Sequence, residues 1–184
     1  MAYLVQTLAS GLDLTGYAHL VLHNDGFLVS SPARHCIYYV ENGVATVWAG
    51  ADGESGTANG NRLTARFNSP CGLTKDNSGN IYISDKLNHV IRKIDVNGMV
   101  TTFAGTGVAG YLNTTSPHNP LNAQFNAPRS VAVDSSGNIT VIAIDNYLDT
   151  YVASKSLATE SYVSTAISNL IDSAPSTLNL PNLD

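Results

Sequence analysis

Charged residues are scarce in this chain of 184 residues, and basic residues are few. Nine Lys and Arg stand against 14 Asp and Glu, which gives a formal net charge of −5, and the basic residues are scattered along the sequence. A protein that follows a nucleic-acid backbone needs a clustered basic surface. The scarcity of basic residues therefore excludes nucleic acid from the expected partners.

Long hydrophobic runs are missing as well. No segment approaches the roughly 20 apolar residues that span a bilayer, and the start of the chain, MAYLVQTLASG, lacks the basic residues and long apolar stretch of a secretion signal. We therefore expect neither membrane insertion nor export by that route. The 15 Gly, together with the small share of charged residues, favour a fold of strands and tight turns.

Motifs that carry chemistry are absent from the sequence. Cys36 and Cys71 form neither a CxxC pair nor a metal-ligand spacing, so we expect two small core residues. No G-x-S-x-G, S-x-x-K, phosphate-binding loop or dinucleotide fingerprint occurs. The acidic turns at Asp25, Asp76 and Asp134 lack the spacing of a calcium loop. We therefore expect no catalytic residue, no cofactor and no enzyme activity.

What the chain does contain is an internal repeat. RFNSPCGLTKDNSGNIYI, residues 66–83, recurs without gaps as QFNAPRSVAVDSSGNITV, residues 124–141, 58 positions further on. A less regular third copy, AHLVLHNDGFLVSS, lies upstream at residues 18–31. Its last strand, VATVWAG at residues 44–50, matches VTTFAG at residues 100–105. The repeat unit is therefore longer than a single hairpin and occurs about three times.

Each copy has the pattern of an antiparallel sheet. Ile81 and Ile83 flank Tyr82, and Val131 and Val133 flank Ala132, which is how the strands of a packed antiparallel sheet alternate their faces. The turns DNSGN and DSSGN place an Asp that can bond the turn backbone ahead of a Gly that can take positive φ. This pattern predicts a mainly β fold, a partial β-propeller of about three four-stranded blades in residues 1–147. Residues 5–11 match the last strand of the middle copy, so we expect them to complete a C-terminal blade.

The composition changes in residues 148–184, which we predict to form a separate oligomerisation and attachment segment. Apolar residues recur there at helical spacing, Thr159 is a suitable N-cap and Pro175 stops the run. The pattern predicts a short amphipathic α-helix, which needs a packing partner because isolated short helices are marginal in water. The residues expected to mediate oligomerisation share one apolar face: Tyr162, Val163, Ala166, Ile167, Leu170 and Ile171.

The middle copy, residues 67–105, resembles an NHL repeat of the β-propeller type. It carries in order F-N-x-P, D-x-x-G-N-I-Y, D-x-x-N-H-x-I-R-K-I and G-x-V-T-T-F-A-G. The resemblance implies that Asp85 and Asn88 fix a turn between inner strands and that Arg92 follows the buried Ile91. It also places Pro32 of the upstream copy where the Asp is expected. NHL propellers are typically six-bladed, so three blades imply a dimer or another partner that covers the open faces.

A second resemblance lies near the C-terminus. ATESYVSTAISNLIDSAPSTL, residues 158–178, is similar to a short segment of bacteriophage tail-fibre and baseplate proteins, which are usually trimers. It implies a structural virion protein of a tailed phage, a tail, tail-fibre or baseplate component made in the host cytoplasm. The expected partners are then further copies of the chain (a trimer, with a dimer as the alternative), other virion structural proteins and the host cell surface. The alternatives are an NHL-type module that binds protein or glycan without a phage role and, less favoured, a propeller lyase fragment.

The blades offer two kinds of candidate site. Long Gly-rich connections are typical places for binding, and their candidate residues are Asp52, Glu54, Asn59, Asn61, Tyr111, Asn113 and His118. Some propeller lyases that share the NHL repeat hold a metal through His residues of several blades, which makes His19 and His89 the candidates by resemblance. The sequence comparison finds no His at equivalent positions of the copies, so we expect no metal.

Overall fold

The computed structural model describes residues 12–16, 18–112 and 119–143, together with the backbone of a strand at Thr150–Ala153. Its antiparallel sheets follow one another along the chain as successive blades of a propeller-type fold. The predicted mainly β architecture is thus confirmed. Within the described part, no helix has the length and apolar character needed to cross a membrane. The predicted strand at residues 5–11 and the predicted C-terminal helix lie outside the described residues.

The three sheets share one strand order. The first blade contains β1 (Leu20–His23), β2 (Gly26–Ser31), β3 (Cys36–Glu41) and β4 (Val44–Ala49), in the order β1-β2-β3-β4. The short strand β5 (Gly60–Asn61) pairs with the outer edge of the second blade. That blade contains β6 (Pro70–Lys75), β7 (Ile81–Asp85), β8 (Val90–Ile94) and β9 (Met99–Ala104). The third blade contains β10 (Pro128–Val133), β11 (Ile139–Ala143) and β12 (Thr150–Ala153).

The third blade extends past residue 147, where the repeat pattern was expected to end. Thr150–Ala153 pairs antiparallel with β11, with Tyr151 opposite Val141. The sequence of this strand, TYVA, has lost the D-x-x-N-x-x-I-R pattern but contains Thr, Tyr and Val, which are residue types that favour strands. Pairing with β11 therefore places these residues in the blade although the motif has decayed.

The turns between first and second strands of the later blades are built alike. Oδ1 of Asp76 accepts from the backbone N–H groups of Ser78 and Asn80, at 2.9 and 2.8 Å. Oδ1 of Asp134 accepts from the corresponding groups two and four residues on, at 2.8 and 2.9 Å. In both turns a Gly at positive φ completes the loop, Gly79 at 88° and Gly137 at 85°. The two acidic turns at Asp76 and Asp134 are thus explained by turn chemistry, as predicted.

Neighbouring blades pack against each other through two apolar cores. The first, between the first and second blades, is centred on Phe67, and the second, between the second and third blades, is centred on Phe125. Both Phe side chains come from the repeated F-N-x-P motif and are at most 1% exposed. Each lies against a Gly that ends the preceding blade, where an added Cβ would meet the Phe ring at 3.1 Å (Gly50) or 3.0 Å (Gly105). The repeated sequence motif therefore builds the same contact, here called the joint, between each pair of neighbouring blades.

The two cysteines occupy core positions. Cys36 and Cys71 are 0% and 1% exposed and form no disulfide. Burial raises the pKa of the Cys36 thiol to about 11, and burial also raises that of Cys71. Both thiols therefore stay protonated at neutral pH and behave as small apolar side chains, as the sequence predicted.

Strand β6 approaches β10 of the next blade unusually closely at Gly72. A Cβ on this residue would lie 2.8 to 2.9 Å from Arg129 O, Ser130 Cα and Val131 N. All three contacts are backbone atoms of β10, so no side chain can rotate away. Glycine at this position therefore sets the distance between the second and third blades.

We predict that Gly72→Ala lowers the free energy of unfolding by about 1 to 3 kcal/mol, because the strands of neighbouring blades must move apart. Thr74→Ser serves as the control, since Thr74 lies in the same strand and is only half-buried. The control should change the free energy by less than about 0.5 kcal/mol. Urea denaturation of both variants measures the difference, and equal stabilities would contradict the close contact.

Candidate functional site

The centre of the loop face is a buried ion pair in the second blade. Here the loop face means the end of the sheets that carries the turn Lys86–Asn88 together with residues 50–59, 65–69 and 105–107 of the connections between blades. Asp85 ends β7, Asn88 lies in the 3₁₀ turn Lys86–Asn88, and Arg92 lies on β8. The Asp85 and Arg92 side chains are 0% and 1% exposed, and Nη1 of Arg92 lies 2.9 Å from Oδ2 of Asp85. The turn places both charges on the same end of adjacent strands.

The Asp85 carboxylate has further donors besides Arg92. The Asn68 backbone N–H donates to its Oδ1 at 2.7 Å, and the Asn88 side-chain amide donates to its Oδ2 at 2.8 Å. Burial raises the pKa of the Asp85 carboxyl, and these hydrogen bonds together with the positive charge of Arg92 oppose that shift. This matches the role that the NHL resemblance implied for Asp85 and Asn88.

The same pair holds the connection between the first and second blades. Nη1 of Arg92 donates to Arg66 O at 3.0 Å, while Nη2 donates to Ala58 O at 2.8 Å and to Oδ1 of Asn59 at 2.7 Å. The Asn88 amide donates in addition to Gly56 O at 2.7 Å. The connection therefore has a defined conformation although it is long and rich in Gly.

In the first and second blades, a histidine accepts a hydrogen bond from the backbone segment that leads into the next blade. The sequence reasoning missed this feature. Nδ1 of His35 accepts from Ser69 N at 3.0 Å, and Nδ1 of His89 accepts from Ala127 N at 3.1 Å. All four residues have positive φ, between 48° and 58°. The expectation that His does not recur at equivalent positions was therefore wrong. The strings RHCIYY and NHVIRK contain the match, but they lie 54 positions apart. The second and third copies, by contrast, are related by 58 positions.

The recurring histidines bind backbone amides in this structure. Both Nδ1 atoms already accept a backbone N–H from the segment that leads into the next blade. This contact between neighbouring blades explains why the histidine recurs. Among residues 12–16, 18–112 and 119–143, no group of three or more His, Cys, Asp or Glu is placed to hold a metal ion. His19 lies before β1, and its backbone carbonyl accepts from Ser30 N at 2.9 Å.

The first blade replaces the ion pair by other residues. Ser31 lies opposite Cys36 in the sheet, as Asp85 lies opposite Val90, so Ser31 and not Pro32 occupies the Asp position. Tyr38 lies opposite Val29 as Arg92 lies opposite Ile83. The expectation for Pro32 was wrong because Gly26 already lies in β2, whereas β7 begins two residues after Gly79, so that counting from the turn Gly overshoots by one residue. The first blade thus carries no buried charge pair at this position.

The predicted loop residues serve mainly in holding the connections. Asp52 pairs with Arg34, a hydrogen bond that lowers the pKa of the Asp52 carboxyl. Glu54 pairs with Arg66 at 2.9 Å. These two pairs are partly exposed, so each contributes little stability.

The other predicted residues are spread over the loop face and its margins. Asn59 accepts from Arg92, Asn61 accepts from the Leu63 backbone, and the Tyr111 hydroxyl accepts from the Asn126 amide at 2.9 Å. Asn113, His118 and the six predicted oligomerisation residues lie outside the described residues. The structure thus brings Asn59 to the buried pair, and it does not gather the other predicted residues that it describes into one site.

A groove of about 250 Å³ opens above the buried pair on the loop face. Sequence reasoning missed this groove because its walls come from distant parts of the chain. Its walls are formed by Thr57, Asn88, Val90, Arg92, Thr102, Gly105, Thr106 and Gly107. Arg92 is the only ionisable residue among them, so the groove presents neutral hydroxyl, amide and backbone groups.

A second groove, of about 210 Å³, lies on the opposite face between the first and second blades. It contains the only Trp of the chain, Trp48, whose ring meets the His23 ring edge-on at 5.3 Å and lies 5.3 Å from the Arg62 guanidinium. Burial lowers the pKa of His23, and the positive charges of Lys75 and Arg62 lower it further. His23 is therefore neutral against Trp48 at neutral pH.

Comparison with known proteins supports the repeat type. No protein-family profile matches the chain. The chain is 47% identical over 57 residues to NHL repeat-containing protein 2 of Gallus gallus, a match that covers 30% of this chain and 8% of that protein. It is 36% identical over 84 residues to Protein SUPPRESSOR OF QUENCHING 1, chloroplastic, of Arabidopsis thaliana, a match over 45% of this chain and 8% of that protein. The chain therefore spans less than a tenth of the curated relatives it matches.

Two solved structures give the same picture of the fold. The structure of an auxiliary nutrient binding protein from Bacteroides ovatus superposes with a TM-score of 0.61 and 25% identity, over 76% of this chain and 37% of that one. A protein of unknown function from Bacteroides thetaiotaomicron superposes with a TM-score of 0.58 and 31% identity, over 63% of this chain and 29% of that one. The chain is thus a partial homologue of NHL-repeat proteins, with a propeller-type fold.

We predict that Asp85→Ser lowers the free energy of unfolding by about 3 to 5 kcal/mol, because it leaves the buried Arg92 charge without its partner. The double variant Asp85→Ser with Arg92→Tyr installs the residues that the first blade has at these positions. It should be more stable than Asp85→Ser alone, since no unpaired charge remains. Denaturant unfolding of both single variants and the double variant gives the coupling energy, and simple additivity of the two single effects would contradict the account.

We predict a pH-dependent change in Trp48 fluorescence with a midpoint below 6.5, the ordinary pKa of His23 in the unfolded chain. The folded state takes up this proton less readily than the unfolded state, so the His23 contribution to stability is present above pH 6.5 and is lost as the pH falls. His23→Gln removes the titrating ring and should abolish the transition. A midpoint at or above 6.5 would contradict the desolvated environment of His23.

Proposed function

We propose that this chain is a propeller-type binding module that holds its ligand on the loop face and performs no chemistry on it. The observation that carries the proposal is the fixed connection between the first and second blades. Gly56, Ala58, Asn59 and Arg66 are all tied to Asn88 or Arg92 by hydrogen bonds. A connection held in one conformation loses little entropy when a ligand binds to it.

The groove above Arg92 supports binding over catalysis. Its only ionisable wall residue is Arg92, whose charge is matched by Asp85 at 2.9 Å. General acid–base or nucleophilic catalysis needs a group that can exchange a proton near neutral pH or an activated nucleophile. The threonine hydroxyls of the groove have no basic partner among its wall residues, so the groove is suited to recognition.

The comparisons support the same choice of function. The Bacteroides ovatus structure that resembles this chain is of an auxiliary nutrient binding protein. None of the relatives named above is a virion protein. The predicted role in a phage tail rests on residues 158–178, which lie outside the described residues, and it stays a prediction. The proposal therefore follows the alternative expectation, an NHL-type module that acts by binding.

A screen of ligand classes tests the proposal. The full chain is examined by thermal unfolding in the presence of neutral sugars, amino acids, dipeptides, nucleosides and small carboxylates, since a ligand that prefers the folded state raises its melting temperature. Thr106→Arg places a bulky side chain in the groove wall, and Thr101→Arg places the same side chain at an exposed position of β9 outside the groove.

We expect at least one class to raise the melting temperature of the natural chain and of Thr101→Arg, and to lose that effect in Thr106→Arg. Mass spectrometry should recover the ligand unchanged after prolonged incubation. No stabilisation by any class, conversion of a ligand to product, or an equal response of the two variants would each overturn the proposed function.

A further inference from the structure

The first blade begins with the same course of the chain that leads into the two later blades. In each blade a residue with positive φ lies four positions before a paired residue of the opening strand. The three pairs are Gly16 and Leu20, Ser69 and Leu73, and Ala127 and Val131. The register agrees, because Leu20 lies opposite Val29 as Leu73 lies opposite Ile83. Residues 12–16, here called the entrance of the first blade, therefore correspond to residues 65–69 and 123–127.

The entrance is tied to the first blade as its counterpart is tied to the second. The backbone carbonyl of Asp13 accepts from Oγ of Ser31 at 2.5 Å. The carbonyl at the corresponding position, Arg66 O, accepts from Nη1 of Arg92 at 3.0 Å, and Arg92 is the partner of Asp85, whose position Ser31 occupies. The entrance therefore has the backbone of a joint, although no strand precedes β1 among the described residues.

The apolar side chains of the entrance and of β1 are exposed where their counterparts are buried. Phe67 and Leu73 of the second blade are 0% and 6% exposed, because residues of the first blade cover them. The corresponding residues of the first blade, Leu14 and Leu20, are 37% and 52% exposed. Leu22, two positions further along the same face of β1, is 65% exposed. The receiving half of a joint is therefore present and uncovered in the first blade.

The third blade exposes the other half of a joint. Tyr82 and Ser84 lie on the face of the second blade that packs against the third, and they are 2% and 0% exposed. The residue 58 positions after Ser84 is Ile142, which is 46% exposed. Ala132 lies on the same face and is also exposed. This outer face of the third blade has no following blade among the described residues.

The two uncovered faces are complementary halves of a contact that the chain already forms twice. Within one chain they cannot meet, because the second blade packs between the first and the third. Two copies can bring them together in a heterologous contact, in which each copy contributes a different face. The histidine of the joint is not repeated here, since the residue 58 positions after His89 is Tyr147. The contact between copies is therefore mainly apolar, and clustered exposed apolar side chains are typical of such interaction surfaces.

We propose that the entrance of the first blade binds the outer face of the third blade of a second copy of this chain. Leu14, Leu20 and Leu22 of one copy then pack against Ala132 and Ile142 of the other. None of these residues is a wall residue of the loop-face groove, so this contact is independent of the proposed ligand binding.

Light scattering of the 184-residue chain over a range of concentrations tests the proposal, since one chain has a mass of 19.4 kDa. Leu20→Glu places a carboxylate in the receiving half of the contact, and Ile142→Glu places one in the other half. Leu63→Glu makes the same change at a leucine of the connection that is 50% exposed, close to the 52% of Leu20, and is the matched control.

We expect the natural chain and Leu63→Glu to exceed the mass of one chain as the concentration rises. Leu20→Glu and Ile142→Glu should each weaken this association at least about tenfold, because a carboxylate in an apolar contact is left without a partner. An equimolar mixture of these two variants should associate again. In the mixture the intact third blade of Leu20→Glu can bind the intact entrance of Ile142→Glu.

A natural chain that stays at 19.4 kDa at every concentration would overturn the proposal. Association that survives Ile142→Glu would also overturn it, because the entrance would then bind some surface other than the third blade. Equal weakening by Leu63→Glu would show that the loss is not specific to the two faces. Circular dichroism confirms that each variant is folded, and the mixture adds an independent check, since two unfolded variants could not restore the association.

Discussion

The buried Asp85–Arg92 pair is the interaction on which the second blade and its connection depend. Burying two charges carries a large desolvation cost, which is offset only when the geometry is good and the remaining hydrogen-bonding groups are satisfied. Here the carboxylate receives three donors and the guanidinium reaches the connection through three acceptors besides Asp85. The pair therefore joins the end of β7, β8 and residues 56–66 in one network. The Nε of Arg92 is the one nitrogen of this guanidinium that has no hydrogen bond in the structure.

The first blade is built without this buried ion pair. It has Ser31 and Tyr38 where the second blade has Asp85 and Arg92. Its charges lie further out, where Arg34 and Asp52 form a pair with about two-fifths of each side chain exposed. Such a pair contributes little to stability because solvent screens it. The joint between the blades is nevertheless similar in both places, since His35 and His89 accept from the next blade in the same way. We infer that the histidine and the buried Phe form the repeated joint and that the ion pair is an addition in the second blade.

The parts of the fold that depend on local sequence could be predicted. Strand alternation, the turns of Asp76 and Asp134, and the burial of Cys71 all follow from residues within a few positions of one another. The histidine contact was missed because His35 and His89 are 54 positions apart, whereas the two F-N-x-P motifs are 58 positions apart. Most of this difference lies in the connections between blades, since Gly50 and Phe67 are 17 positions apart and Gly105 and Phe125 are 20. The groove could not be predicted because its wall residues Thr57 and Thr102 are 45 positions apart in the sequence and meet only in the folded structure. The extent of the third blade was also missed, since pairing with β11 places Thr150–Ala153 in a strand after the motif has decayed.

The most direct test of the central role of the ion pair is native-state hydrogen exchange of the connection. The amides of Gly56 and Arg66 donate to Phe67 O and Ala58 O within it. Arg92→Lys keeps the positive charge next to Asp85 but loses the fork that reaches Ala58 and Asn59. We predict that both amides exchange slowly in the natural chain and lose most of their protection in Arg92→Lys, while Val131 and Val141 of the third blade keep theirs. Equal protection of Gly56 and Arg66 in the two proteins would show that the connection is held by other contacts and would contradict the account.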